Sequence, residues 1–209
     1  MAVTDVPPAA STPAVVAPKF GAGIADPGPL GLGAFAMTTF FLSSVNAGWI
    51  PKSVEPVVLG LALFYGGIVQ VFAGMWEFAK GNTFGAVAFS SYGAFWLSFW
   101  YLIAHTDLTV AAAAGDAGKG VGWFLLGWTI FTLYMLVCTI YTNGVLMAAF
   151  AFLTVTFLLL ALGYLVPSTT ATSWGGYLGI ITAAIAWYGS FAGVMNNTAK
   201  RPVLPVFAR

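Results

Sequence analysis

The sequence predicts an all-α integral membrane bundle of six transmembrane helices. Three observations carry that reading. Hydrophobic residues make up 60% of the 209 residues and charged residues only 6%, whereas a soluble domain carries about 25% charged residues. A chain this apolar cannot cover its surface with polar groups, so lipid must solvate most of it. Six stretches are apolar over roughly the 20 residues that a helix needs to cross a bilayer. The net charge of +1 and the scattered Lys and Arg argue against a nucleic-acid partner.

The chain begins with a stretch rich in Ala, Pro, Thr and Val, where Pro7, Pro8, Pro13 and Pro18 oppose a helix. It has no basic start and no continuous apolar core, which argues against a cleaved signal peptide. Residues 1–25 are therefore expected to form a disordered cytoplasmic tail. Residues 26–198 form the six-helix domain, and residues 199–209 a cytoplasmic C-terminal tail. The first span is expected from Leu30 to Ile50, and the second from after Pro56 to Phe78. The third runs from Thr83 to Ala104, and the fourth from Val121 to Tyr141. The fifth runs from Gly144 to Val166, before Pro167, and the sixth from Trp174 to Met195. The longest connection lies around His105–Gly120.

With six spans both chain ends lie on one side. That side carries Lys19, Lys80, Lys200, Arg201 and Arg209, against Lys52 and Lys119 on the other. The basic excess marks it as cytoplasmic, in a plasma or inner membrane. Trp49, Trp76, Trp100, Trp123 and Trp174 fall near span ends, where aromatic belts form. No Lys or Arg lies in mid-span, which excludes a retinal Schiff base. His105, the only histidine, reads as a loop residue. No catalytic constellation, metal cluster or cofactor motif is visible, so an enzyme is the least favoured class. Cys138 stands alone and permits no internal disulfide. Small residues four apart let helices approach closely. Ala86, Ser90, Ala94 and Ser98 form one such strip, and Gly175, Gly179 and Ala183 another.

Three stretches have the chemistry for moving a solute. The first span opens Asp26-Pro27-Gly28-Pro29-Leu30-Gly31-Leu32. Asp is a good N-cap and Pro suits a first turn. Unpaired amides and the helix dipole at such an end attract anions, although an ordinary capped start reads the same way. Phe35, Thr38, Thr39, Leu42 and Asn46 then share one face. Their polar groups fit a lined path and interhelical hydrogen bonding equally. The second span places Gly66, Gln70, Ala73, Gly74 and Glu77 on one face. Intramembrane ionisable residues are functional candidates, but Lys80 lies three residues beyond Glu77, the spacing of a surface ion pair.

Longer motifs add a resemblance. Residues Asp26 to Thr39, Val45-Asn46-Ala47-Gly48, and the run Phe64-Tyr65-Gly66-Gly67-Ile68-Val69-Gln70-Val71-Phe72-Ala73-Gly74 closely resemble the acetate uptake family, also called succinate–acetate permeases. Glu77 with Gly81-Asn82-Thr83-Phe84-Gly85, Ser91-Tyr92-Gly93-Ala94-Phe95-Trp96, and Arg201 to Pro205 are similar to its further motifs. The match covers nearly the whole chain after residue 25.

The resemblance implies one pore per subunit of a homohexamer, with a hydrophobic constriction at Phe35, Tyr92 and Leu153. It implies transport of acetate or another small carboxylate, succinate among them, by a channel-like or proton-linked route. Leu30, Gly31, Thr38, Thr39, Asn46, Gln70 and Glu77 are then candidates for lining the path. Flux of another small solute such as ammonia, or a non-transporting membrane sensor or assembly protein, are the alternatives. Two positions depart from the family pattern. Asp26 replaces its Asn, and Gly193 stands where some relatives carry Glu.

Overall fold

The computed structural model describes residues 21 and 23–208. Most of the expected N-terminal tail, with Lys19, and the final Arg209 lie outside the described residues. Six helices are long and apolar enough to cross a membrane: Gly28–Asn46, Lys52–Lys80, Thr83–His105, Ala117–Tyr141, Gly144–Leu165 and Thr169–Ala199. The chain is a multi-pass membrane protein. Helices are the expected answer to a solvent that offers no hydrogen bonds to the backbone.

Local chemistry sets the ends. Asn82 and Asn143 cap the third and fifth spans, their side-chain oxygens accepting from Gly85 N at 3.2 Å and Leu146 N at 2.9 Å. Gly81, at φ 78°, closes the second span in a left-handed turn that favours glycine. The first span ends at Asn46 rather than Ile50, because the chain turns at Gly48, φ 77°. The sixth starts at Thr169 rather than Trp174, since the Ser168 hydroxyl accepts from Ala171 N at 3.2 Å. Asp26 is one residue outside the expected cap position. Pro27 is the cap residue, and Asp26 Oδ1 accepts from Gly28 N at 3.3 Å. The long connection contains a short helix, Thr109–Ala113. Before it, the exposed Asp107 carboxylate accepts from Thr109 N and Oγ1, which holds its carboxyl below the usual range.

The second span is not uniform. An α-helical start, Val57–Gly60, gives way to a π-helical stretch over Leu61–Val69, and α-helix resumes at Gln70. Stretches with this wider winding are rare and concentrate at functional sites. Gly66, Gln70, Ala73, Gly74 and Glu77 are all buried, so the expected face is the inward one.

The helices pack in the sequence third, second, first, sixth, fifth, fourth. The first and sixth approach most closely. A Cβ on Gly176 would stand 2.7 Å from the Asn46 carbonyl carbon, and one on Gly175 would stand 2.8 Å from Leu160 of the fifth span. The third-span strip divides, however. Ala86 is buried and Ser90 half-buried against Gly74, while Ala94 and Ser98 are exposed on the single chain. Spacing of four in a 3.6-residue helix drifts by about 40° per step, so such a strip leaves its face within three steps.

Between the third and fourth spans aromatic side chains fill the seam. Phe95 stacks on Phe124 at 5.6 Å and meets Trp128 edge-on at 5.2 Å, and Tyr92 meets Phe131 edge-on at 5.3 Å. The segment after the sixth span folds back along the bundle end. Asn196 Oδ1 accepts from Val203 N at 2.7 Å and Leu204 N at 2.9 Å, and Asn196 Nδ2 donates to Leu204 O. Tyr188 donates to Pro205 O at 2.7 Å, and Gly144 N to Phe207 O at 2.9 Å.

Three outcomes follow. Gly93→Ala should cost about 1–3 kcal/mol of stability, because its Cβ would meet Val71 N at 2.9 Å and Gly67 O at 3.0 Å, both backbone atoms. Gly127→Ala, whose Cβ meets nothing within 4 Å, should leave thermal melting in detergent unchanged. Asn196→Ala should speed amide exchange at Val203 and Leu204 roughly 10-fold or more, read by hydrogen-exchange mass spectrometry.

Candidate functional site

Among the described residues, two cavities within the bundle share walls. The larger, about 380 Å³, opens at the end where the first, third and fifth spans begin. The smaller, about 60 Å³, lies toward Asn46, Glu55 and Tyr164 at the opposite end. Phe35 and Leu153 line both cavities and so stand between them. Tyr92 lines the larger one, its ring 5.5 Å from that of Phe35. All three side chains are buried.

Sequence explains how these three side chains are held. Tyr92 donates to Thr132 Oγ1 at 2.9 Å, and Thr132 in turn donates to Trp128 O at 2.7 Å. A phenol in the middle of an apolar bundle is thereby satisfied and its ring fixed. Phe150, one turn before Leu153, packs on Tyr92 at 5.9 Å and on Phe84 at 5.3 Å.

The larger cavity is rimmed by Asn82, Asn143, Asn196 and Asn197, with Asp26, Gln70 and Glu77. Gly28, Gly85 and Val145, from the first turns of the three odd-numbered spans, also line it. Three helix N-termini thus converge there, each with the positive end of its dipole inward. Carboxylates oppose that field. Glu77 is only 2% exposed and accepts from Asn82 Nδ2 at 2.8 Å. The surface pair between Glu77 and Lys80 is absent. Lys80 Nζ instead pairs with Asp26 Oδ1 at 3.2 Å, tying the start of the first span to the end of the second. Among the described residues no Lys or Arg lines either cavity.

The other candidates separate into two groups. Thr39, Leu42 and Asn46 line the smaller cavity with Phe35, and Gln70 and Glu77 line the larger. Thr38, Leu30 and Gly31 line neither. Thr38 is fully buried, donates to Ala34 O at 3.0 Å and packs on Gly66 of the second span. Leu30 is 45% exposed on the outside of the bundle. Gly31 faces the Phe89 ring, which a Cβ would meet at 2.6 Å. Pro29 and Leu32 take the lining positions in their place.

Four lining or near-lining groups were not singled out by sequence. Asn143, Asn196 and Asn197 sit at span ends, where capping is the ordinary reading of Asn. Trp96 lines the smaller cavity from mid-span, and a tryptophan far from the interfacial belts was the available signal.

Several buried polar atoms here have no partner among the described residues. They are Thr39 Oγ1, both amide atoms of Gln70 and Trp96 Nε1, with Ser90 Oγ beside Gly74. Leaving such a group unsatisfied costs about 1–3 kcal/mol each. Three of these residues line the two cavities: Gln70 the larger, Thr39 and Trp96 the smaller.

Comparison with known proteins agrees with this architecture. The GPR1/FUN34/yaaH family matches residues 9–208. Acetate permease A of Emericella nidulans is 41% identical over 87% of this chain and 65% of its own. Ammonia transport outward protein 2 of Saccharomyces cerevisiae is 45% identical over 88% of this chain and 66% of its own. The chain spans just under two thirds of the length of these fungal relatives. The succinate-acetate/proton symporter SatP of Escherichia coli is 39% identical over 88% of this chain and 95% of its own. A solved structure of the bacterial acetate channel SatP superposes with a TM-score of 0.79 at 39% identity, covering 88% of this chain and 99% of that one. Matched over nearly its whole length and in its helical architecture alike, the chain belongs to the GPR1/FUN34/yaaH family.

Proposed function

We propose that this chain conducts small carboxylates, acetate foremost and succinate secondarily, across a membrane through a path inside each subunit. One observation carries the reading: two cavities open toward opposite ends of a single chain and meet at Phe35 and Leu153. In this reading Phe35, Tyr92 and Leu153 form the constriction, and Gln70, Glu77, Thr39 and Asn46 line the approaches. Names of the relatives, an acetate permease, a succinate-acetate/proton symporter and an acetate channel, support the substrate class.

A carboxylate on this path meets helix N-termini and neutral donors but no buried cation. Such partners offset its charge only in part, so it dwells briefly, and conduction needs sites weak enough to leave. The affinity is then millimolar, on the order of −4 kcal/mol. A greasy neck excludes hydrated ions by poor wetting and passes small anions with an apolar end. Glu77, which accepts from Asn82 at the mouth, is the titratable group available there for a proton-linked route. The Asn82 end carries Lys80, Lys200 and Arg201, which supports placing it in the cytoplasm of a plasma or inner membrane. A homohexamer follows the family resemblance. Ammonia remains the second reading, favoured by the name of one relative.

Liposome flux tests the proposal. Purified protein should carry labelled acetate above the leak of protein-free vesicles, and an imposed pH gradient should drive accumulation if protons are linked. Ammonia flux without acetate flux would reverse the order of the two readings. Phe35→Ala and Leu153→Ala should each lower the acetate-to-succinate preference roughly fivefold or more, and an unchanged preference in both variants removes these residues from the constriction.

A further inference from the structure

We propose that residues 201–208 form a strap that swings off the mouth of the larger cavity and back, and that the state with the strap off is the conducting one. The inference rests on the transport reading above and adds a gate to it. The segment leaves the end of the sixth span and reaches the start of the fifth, where Ala208 bridges to Asn143. Val206 of the strap and Asn143 beside it both line the larger cavity. Asn196, which holds the strap from the sixth span, lines it too. A solute entering at this end therefore passes the strap.

Three features make the strap releasable. The first is strain. Among the described residues the non-glycine residues with positive φ are Lys200 and Phe207, each at 56°. A residue with a Cβ rarely adopts that conformation, and keeps it where its surroundings impose it. Lys200 stands where the segment leaves the sixth span, and Phe207 where it meets the fifth. A segment strained at both ends relaxes when it lets go. The second is shallow packing. Leu204 and Val206 are half-buried and the other residues of the segment are exposed. Phe207, its largest side chain, is 65% exposed. The strap is thus held by a few discrete hydrogen bonds rather than by burial. Asn196 binds Val203 and Leu204, and Tyr188 donates to Pro205 O at 2.7 Å. The third is the partner it covers. Gly144 N and Val145 N, in the first turn of the fifth span, donate to Phe207 O at 2.9 Å and Val206 O at 3.4 Å. Such first-turn amides have no acceptor within their own helix. Water at the mouth can replace the strap carbonyls, so lifting the strap leaves no amide buried and unpaired.

The test locks the strap and, separately, loosens it, using the full chain in liposomes. Opposed residues of an antiparallel bridge have Cα atoms about 4.5–5.5 Å apart, within reach of a disulfide. Asn143→Cys with Ala208→Cys, on a Cys138→Ser background so that only the new pair can join, should carry labelled acetate roughly fivefold or more slower when oxidised than after reduction. Mass spectrometry verifies the cross-link. Tyr188→Phe removes one strap bond, keeps the ring and leaves the fifth-span cap undisturbed. It should speed amide exchange at Gly144 and Val145 and raise acetate flux about fivefold. Equal flux in the cross-linked and reduced forms overturns the gate and leaves transport standing. So does a Tyr188→Phe chain that exchanges faster without carrying acetate faster, the result that a purely structural tie gives. No acetate flux from the unsubstituted chain overturns the transport reading and the gate with it.

Discussion

Along its length the sixth span turns glycine or alanine toward its neighbours, and this close approach organises the interior. Gly176 lies against the Asn46–Ala47 backbone and Gly179 against Ser43, while Gly193 lies against Pro29 near the other end. Lipid gives apolar helices little reason to prefer one another to the bilayer, so intimate packing of small residues must supply it. With the sixth span drawn onto the first, Phe35 is held at the centre. The fourth span sits farther out, and the gap it leaves is filled by the rings of Phe95, Phe124, Trp128 and Phe131. Small residues on one side and large rings on the other therefore determine where the cavities lie.

Polarity inside this bundle is arranged in two ways. Most hydroxyls are quiet: those of Thr38, Thr129, Thr132, Thr154, Thr156 and Thr182 each donate to the carbonyl four residues earlier. Such groups satisfy themselves within their own helix and have no proton left for a guest. Gln70, Thr39 and Trp96 are different, since their polar atoms are buried and unpaired. The contrast lies between neighbours, Thr38 and Thr39, one residue apart on the same helix. It separates polar groups that serve the fold from those that find no protein partner among the described residues.

Hydropathy made the six spans legible, because runs of about 20 apolar residues have one solution in lipid. The details that escaped it have physical reasons. Ser168 and the threonines after it read as a loop, yet a serine cap on a polar first turn starts the sixth span early. The π-helical stretch over Leu61–Val69 left no mark, since an all-apolar run has no polar phase from which to read its winding. Lys80 pairs with Asp26, 54 residues away, instead of with Glu77 three residues away. That choice depends on how the first and second spans cross, which spacing does not encode. On the first span Phe35, Thr39, Leu42 and Asn46 line the smaller cavity, whereas Thr38 packs on Gly66 of the second span. A helical face is wide enough to include residues that belong to the adjoining seam. Phe35, Tyr92 and Leu153 stand out only through motif resemblance, because a phenylalanine of the packed core and one between two cavities have the same local pattern.

The folded-back C-terminal segment has a practical consequence. Val206 lines the larger cavity, and Ala208 bridges to Asn143 at its rim. A tag inserted directly after Ala208 would start its course over that cavity. A fluorescent reporter joined there by a short linker would sit as a stopper above the opening, so labels for functional work belong on the connection around Thr109–Ala113, at the opposite face.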